Sequence, residues 1–392
     1  MENIQQHVHE IRDEIIAIRR HLHKHPELSF EEVNTSAYIQ SKLTEWGIPF
    51  QAGIAGTGVV GLILANAADN TCIALRADMD ALPIFELNEV DYKSIYPGKM
   101  HACGHDVHTA ILLGTAKVLQ KYRHELKKSV KLIFQPGEEK LPGGAKLMIQ
   151  AGVLENPKVE KIIALHVFPE METGKVGLKS GMYMASCDEL HITVYGKGGH
   201  AAMPKLNIDP VLIASKLVVA LHELPAAHCP ENIPCVLAIG RIEGLGATNV
   251  IPDYVTLQGT FRTMNEKWRL RAHELITETA RKITQQAGAS VDINIERGYP
   301  YLENDPELTE QVRSILKNTL GENSVEDLPI RMTGEDFSFY AHQVPATFIR
   351  LGVRNEQQSI VHGVHNARFD IDEDALGIGI LSLATLCLYN ES

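Results

Sequence analysis

The run TCIALRADMD (71–80) is followed, after a loop, by MHACGHDVHTA (100–110), and the second stretch is the most telling in the chain. It sets Cys103 and His105 two residues apart, with His101 and His108 flanking them and Asp106 alongside. Side chains two apart on an extended or turning backbone can aim at one point. A thiolate and an imidazole converging there suit a borderline-soft divalent ion such as zinc. Gly104, between them, removes a Cβ where the backbone must turn tightly. A structural zinc site would want two more Cys or His ligands at short spacing, and none follow. The remaining ligands therefore come from distant sequence, as in a catalytic site assembled on strand ends.

Outward from this stretch, strands and helices alternate. TGVVGLILA (57–65) and TCIALRADMD (71–80) read as strands, a helix runs from about Asp106 to Tyr122, and SVKLIFQP (129–136) is a strand. GGAKLMIQAG (143–152) is a helix and KIIALH (161–166) a strand. Upstream, Ile4, Val8, Ile11, Ile15, Ile18 and Leu22 fall on one face of a helix over 3–24 that Pro26 ends. A second helix spans about Asn34–Trp46, with Gly47 just past its end. The alternation predicts an α/β fold with a mixed, largely parallel sheet and helices on both faces.

After about Ser186 the pattern changes. ELHITVYG (189–196), CVLAIGRIEG (235–244), YVTLQGTFRT (254–263) and SVDINIERG (290–298) read as strands, with helices over 208–224 and Lys267–Ala287. The order βαββαβ is that of a ferredoxin-like unit. It reads as an insertion over 186–295, because helix Pro306–Leu320, strand ATFIRLG (346–352) and helix Glu373–Tyr389 then resume the earlier alternation. The catalytic domain is accordingly expected to be discontinuous, 1–185 and 296–392.

With 392 residues, 44% hydrophobic and 22% charged, the chain is long enough for two domains and a large core. A net charge of −12 leaves no basic face to dominate and argues against nucleic acid. No apolar run is expected to reach the roughly 20 residues of a membrane span. The N-terminal MENIQQHVHEIRDEI reads as a polar amphipathic helix, not a signal peptide. The six cysteines lack a framework spacing, and five of them read as thiols in a reducing cytoplasm.

Metal-competent residues cluster just past the predicted strands: Asp78 and Asp80, Cys103 and His105, Glu138 and Glu139, His166, then His362 and His365. In open α/β sheets, sites form at the carboxyl ends of strands. Two metals about 3.5–4 Å apart would need roughly this many ligands. Glu138 and Glu139 face opposite ways if extended, so that one can bind metal while the other acts as base. A Glu-Glu pair is ordinarily a solvated acidic loop, but here Pro136, Gly137, Pro142, Gly143 and Gly144 flank it at a strand end. Asp80 reads mainly as a residue orienting a histidine. Gly56, Gly58 and Gly61 match G-x-G-x-x-G but precede a strand, not a helix, so the dinucleotide context is missing. YGKGGHAAMP (195–204) is no Walker loop; its His200 ends a strand, where it could donate to an oxyanion from a lid.

The chain resembles the metal-dependent amidohydrolases and exopeptidases that include aminoacylases, hippurate hydrolases, auxin-conjugate hydrolases and N-acetyldiaminopimelate deacetylases. The strings that carry the likeness are HPELSFEE (25–32), RADMDALP (76–83), GKMHACGHDVHTA (98–110), FQPGEE (134–139), GGAKLMIQAGVLE (143–155), GKGGHAAMP (196–204), GTFRT (259–263), GEDFSFY (334–340) and HNARFDIDED (365–374). The resemblance implies a zinc-exopeptidase-like catalytic domain with a lid that dimerises, and a homodimer or tetramer. It implies two divalent ions (Zn, Mn, Co or Ni) on Cys103, His105, Glu139, His166 and His365, with Glu138 as general base. It also implies that His200 reaches a partner subunit's site, while Asn249 and Arg262 hold the substrate carbonyl and carboxylate. The chain departs from the family at Lys205, at Ala367 and in GEEKLPGGA (137–145).

The expected activity is hydrolysis of an N-acyl-amino acid to a carboxylate and an amino acid. A dipeptidase or aminopeptidase on the same site is the rival enzyme reading. A binding protein with a degenerate metal pocket is the rival from another class, and an intact Glu138 argues against it.

Overall fold

The computed structural model describes residues 2–66 and 70–389. Two compact units emerge. The larger comprises Met1–Gly181, Glu303–Pro329 and Asp336–Ser392, and the smaller Met182–Leu302 with Ile330–Glu335. The smaller unit is thus wider than 186–295. Its flanks pair with one another: Met184 bridges Arg331, the Ala185 N–H donates to the Arg331 and Thr333 carbonyls, and the Cys187 N–H donates to the Tyr299 carbonyl.

The larger unit is built on a mixed sheet ordered Phe50–Ile54, Gly58–Ile63, Ser129–Gln135, Thr71–Asp78, Lys158–Glu172, Ala346–Arg354, Val176–Leu178, Val325–Asp327. The ladders joining Ser129–Gln135, Thr71–Asp78, Lys158–Glu172 and Ala346–Arg354 are parallel, while Phe50–Ile54 and Gly58–Ile63 are antiparallel additions at one side. Nearly every position of Thr71–Asp78, Ser129–Gln135 and Ala346–Arg354 is buried, as is the middle of Lys158–Glu172, as expected when helices cover both faces of a sheet. Their apolar side chains, such as Leu75, Leu132, Leu165 and Ile349, share one core with the helices His105–Lys121 and Asp374–Leu388.

The helix expected over 3–24 forms as Glu2–Glu10 and Arg12–Lys24. The Ile11 N–H still donates to His7 and its carbonyl accepts from Ile15, so the apolar face stays continuous and buried from Ile4 to Leu22. The strand expected over 161–166 is Lys158–Glu172, because pairing with Ala346–Arg354 carries it past His166. Its other neighbour stops pairing at Arg76, opposite Ala164, so His166 stands where one side of the strand has been vacated. The short strands Val176–Leu178, Gly181–Met184, Leu302–Asn304 and Val325–Asp327 have no counterpart in the sequence reading; at three or four residues they are too short to show a period.

In the smaller unit an antiparallel sheet runs Cys235–Glu243, Tyr254–Thr263, Asp188–Tyr195, Ser290–Arg297. With helices Pro210–His228 and Glu266–Gln286 this is the ferredoxin-like βαββαβ arrangement. Asp209 caps the first helix and Asn265 the second. Leu190, Ile192, Val194, Leu257 and Phe261 alternate onto the face that buries Ile213, Leu217, Leu221 and Ile276. Pro210–His228 corrects one expectation. It is 19 residues long with a window of mean hydropathy 1.4, long and apolar enough by composition alone to cross a membrane. Its buried face makes it a core helix of this unit, and Lys216, His222 and Glu223 hide its apolar length in the sequence.

Asp188 ties this unit together. Its buried carboxylate accepts from Arg269 Nε (2.9 Å) and Nη2, from His273 Nε2 (2.7 Å) and from the Gly298 N–H (3.1 Å). Burial alone would raise its pKa, but Arg269 and His273 outweigh it and keep the group ionised. Asp188→Asn takes from the buried guanidinium of Arg269 its buried carboxylate and leaves it the partly exposed Glu266, a loss of up to about 3–5 kcal/mol. Urea unfolding followed by Trp268 fluorescence in a Trp46→Phe background should show this loss, and a midpoint matching that background would show the pair to be dispensable.

Candidate metal centre and active site

Thr71–Asp78 delivers Asp78 and Asp80 to the carboxyl end of the sheet, and helix His105–Lys121 begins beside them. Gly104 precedes the helix at φ +87°, and a Cβ there would lie 2.6 Å from Cγ2 of Val167. The turn and this close approach both require glycine, and together they bring Cys103 and His105 to the end of the neighbouring strand. Ser129–Gln135 ends in Pro136 and Gly137. Gly137 has φ +58°, and a Cβ there would meet the Phe30 ring at 2.4 Å. Glu32 holds this turn by accepting from the Gly137 N–H (2.8 Å).

Donor atoms gather in overlapping groups. Those of Cys103, His105 and His166 lie within 4.8 Å of one another, as do those of Cys103, Glu139 and His365, and those of His105, Glu138 and Glu139. Cys103 Sγ is 3.5 Å from His166 Nε2, and His365 Nε2 is 3.1 Å from Glu139 Oε1. Ligand atoms held about 2.0–2.3 Å from one ion have spacings of this size. The two groups that share Cys103 support two metal ions.

The ring orientations agree. His166 Nδ1 donates to the Val167 carbonyl (2.7 Å), which turns the Nε2 lone pair toward Cys103. His105 Nδ1 faces Asp80 Oδ1 (3.2 Å), while its buried Nε2 has no hydrogen-bond partner. Such orphans are rare in a folded interior, and a metal ion satisfies them. His108, by contrast, uses both nitrogens. Nδ1 donates to Asp78 Oδ1 (2.5 Å) and Nε2 accepts from the Val167 N–H (2.9 Å), so the nearby group Asp78, His105, His108 is a hydrogen-bonded brace, not a ligand set.

The electrostatics also call for a cation. Contacts with Cys103 and then Glu139 hold His365 protonated up to a pKa of about 10, so that a proton sits where a metal would neutralise the thiolate and carboxylate. Burial, with His108 and Arg350 adding to it, keeps His166 neutral, the form that binds metal. His365 adopts φ +63°, which few non-glycine residues do, and its N–H donates to the Ala102 carbonyl (2.7 Å). His362 is half-buried and in none of these groups.

Asp80 carries four contacts: His105 Nδ1, Ser29 Oγ (2.7 Å), the Glu138 N–H (3.1 Å) and the Glu139 N–H (3.0 Å). Glu138 is 7% exposed, and its Oε1 lies 3.4 Å from the Asp336 N–H. Behind it Arg76 bridges Asp78 and Asp336, and Gln135 donates to Asp336 as well. Arg76, Gln135, Asp336, Ser29 and Glu32 escaped the sequence reading. The alternation Arg76, Asp78, Asp80 in an otherwise apolar strand was the available signal.

His200, Asn249 and Arg262 belong to the smaller unit. Gly199–His200 pairs with Val250–Ile251, and the Ala201 N–H donates to the Asn249 carbonyl (3.0 Å), so His200 and Asn249 are neighbours. Arg262 Nη1 donates to Cys187 Sγ at 3.1 Å.

A dinuclear ligand set on an α/β sheet, with a carboxylate beside it, defines a class of metal-dependent hydrolase. The chain belongs to peptidase family M20/M25/M40, whose model matches residues 74–389. It is 41% identical over 376 residues to IAA-amino acid hydrolase ILR1-like 4 of Arabidopsis thaliana, covering 94% of this chain and 83% of the relative. It is 37% identical to the N-acetyl-L-cysteine deacetylase of Bacillus subtilis, covering 93% and 85%. Its fold matches a Bacillus subtilis crystal structure described as a dinuclear metal binding peptidase of the M20 family, with a TM-score of 0.82, 32% identity and 97% and 98% coverage.

Three substitutions test the ligand set by metal analysis alone. Cys103→Ser removes the thiolate common to both groups and should lower bound metal per chain; unchanged stoichiometry would remove Cys103 from the set. His365→Ala should lose metal while His362→Ala keeps it, and the reverse would place the ligand three residues away.

Proposed function

We propose that the chain hydrolyses the amide bond of N-acyl-amino acids, such as N-acetyl or N-benzoyl conjugates, to a carboxylate and a free amino acid. The observation that carries this reading is Glu138: a buried carboxylate beside the ligand residue Glu139, with both backbone N–H groups pinned on Asp80. Zinc, manganese, cobalt or nickel held by Cys103, His105, Glu139, His166 and His365 would polarise the scissile carbonyl and lower the pKa of water toward ~7. Glu138 takes the proton of the attacking water and passes it to the amide nitrogen as the C–N bond breaks. Asp80 holds His105 in one tautomer and orientation. Asn249 holds the substrate carbonyl, and Arg262 clamps the α-carboxylate, which selects amino-acid conjugates. The named activities of the auxin-conjugate hydrolase and the deacetylase support the N-acyl reading. The solved relative described as a peptidase supports a peptidase with the same site and a different acyl pocket. Assays on N-acetyl- and N-benzoyl-amino acids against dipeptides separate the two.

Glu138→Gln should lower turnover by about 10²–10⁴-fold or more with metal content near wild type, since a base and not a ligand is lost. Loss of metal on that change would exchange the roles of Glu138 and Glu139.

The edge strands of the smaller unit's sheet, Cys235–Glu243 and Ser290–Arg297, suit a two-fold homodimer. In that dimer the partner subunit's His200 donates to the oxyanion. Mixing inactive His200→Ala with inactive Glu138→Gln under subunit exchange leaves one intact site per mixed dimer. Activity should return to about half of wild type per mixed dimer, by counting sites under two-fold symmetry. Verified heterodimers that stay inactive would confine His200 to its own chain.

A further inference from the structure

The buried arginines of this chain are held by carboxylates: Arg269 by Asp188 and Glu266, Arg76 by Asp78, Arg19 by Asp106. Arg262 is different. It is half-buried, and among the described residues its guanidinium makes one hydrogen bond, from Nη1 to Cys187 Sγ at 3.1 Å, and no ion pair. The register of the smaller unit's sheet explains that contact. Phe261 lies opposite Asp188, and the Ser186 N–H donates to the Thr263 carbonyl (2.8 Å), so Cys187 and Arg262 stand opposite one another at the end of the ladder. Side chains alternate along a strand. Asp188 and Phe261 turn toward helix Glu266–Gln286, where they meet Arg269 and His273, so Cys187 and Arg262 share the other face. Gly334 packs on the sulfur, where a Cβ would overlap it. Glu189, the next residue on that face of the strand, pairs with His191 (3.3 Å). Burial pushes the Cys187 thiol above its ordinary range although Arg262 pulls it down, so the sulfur stays neutral.

We infer that Cys187 is a positioning residue for anion recognition: its sulfur fixes one corner of the Arg262 guanidinium and leaves the positive charge to a substrate carboxylate. The inference rests on the reading above in which Arg262 clamps the α-carboxylate. A guanidinium presents five N–H donors in a rigid planar fork. With Nη1 held by the sulfur, the edge formed by Nε and Nη2 offers two parallel donors, the pair that takes a carboxylate in bidentate fashion. A carboxylate in the place of Cys187 would also orient the fork, but it would cancel the charge, as Asp188 does for Arg269. An apolar side chain there would spare the charge and leave the long arginine to sample its rotamers, an entropy then lost at each binding event. A neutral sulfur avoids both costs. It is a weak acceptor, so it steers the fork without competing with an anion for it. Cys187 acts through Arg262 and takes no part in breaking the amide bond.

Kinetics of the full-length, metal-loaded chain on two substrates test this. One is the N-acyl-amino acid or dipeptide that wild type turns over best, and the other is the same compound with its α-carboxylate replaced by a carboxamide. Cys187→Ala should raise KM for the acid about 3–10-fold, the worth of a typical hydrogen bond, with kcat near wild type and the carboxamide unaffected. Cys187→Ser keeps a neutral acceptor and should fall between wild type and Cys187→Ala; it carries the same comparison should the alanine variant fail to fold. Arg262→Ala should raise KM for the acid further, and Cys187→Ala added to it should change nothing more, because the two act as one unit. Equal losses on acid and carboxamide, an unchanged KM for the acid, or a Cys187→Ala effect that persists without Arg262 would each overturn the role of Cys187. Arg262→Ala alone reports on the reading beneath it. If that variant treats acid and carboxamide alike, the carboxylate clamp falls and Cys187 with it. A selective Arg262→Ala beside a silent Cys187→Ala removes Cys187 alone.

Discussion

The carboxylate of Asp80 does three jobs that have to agree in space. It orients His105 through Nδ1, and it anchors the backbone of Glu138 and of Glu139 through their N–H groups. The first contact sets a candidate ligand, the second the proposed base and the third another candidate ligand. Asp80 lies beyond the end of Thr71–Asp78 and the two glutamates beyond Ser129–Gln135, and these strands run parallel side by side. Parallel register alone puts the two strand ends at one level, and the aspartate converts that level into a fixed geometry. Ser29 completes the set by donating to Asp80 Oδ2, which also ties the HPELSFEE segment to the centre.

Around this hub lie two buried ionic networks that hold the flanking elements. Arg76 links Asp78 to Asp336, so that the segment carrying Asp336 is fastened behind Glu138. On the other side Arg19 and His23 share Asp106, the first acidic residue of the metal-bearing helix, and His23 Nε2 reaches Glu86. Burial would lower the pKa of His23, but Asp106 and Glu86 outweigh burial and the repulsion of Arg19 and raise it. Charge pairs of this kind rarely add net stability compared with apolar packing. Their effect here is positional, because each joins a segment near a ligand to a helix far away in sequence.

Much of the candidate site was legible because its donor residues sit at strand ends, where period and motif can both be read. Cys103 and His105 announce themselves by spacing, Glu138 and Glu139 by their flanking turns. What separates His105 from His108 is not local. It depends on the Val167 N–H, which occupies His108 Nε2, and that contact joins residues 59 apart. Arg76 and Asp336 are 260 apart, and no short pattern connects them. His365 and His362 look alike in a loop; the positive φ of His365 and its bond to Ala102 separate them once the chain is folded. In the smaller unit the βαββαβ order was readable from alternation, but its borders were not. Residues 330–335 join it by backbone pairing after a long excursion through the other unit.

The larger unit carries the cost of its centre in the fold. His105 Nε2 is buried without a hydrogen-bond partner, and His365 is kept in a left-handed conformation that few residues adopt. Each is a local penalty of about 1–3 kcal/mol. A chain selected for stability alone would relieve them by rotating a ring or opening the loop. The hub at Asp80, the Val167 carbonyl on His166 and the Ala102 carbonyl on His365 prevent that relaxation. The donors therefore wait in position, and the ordering of their side chains is charged to folding and not to metal binding. This division favours an ion that demands a set geometry from sulfur, nitrogen and oxygen together, which is what Cys103, three imidazoles and Glu139 offer.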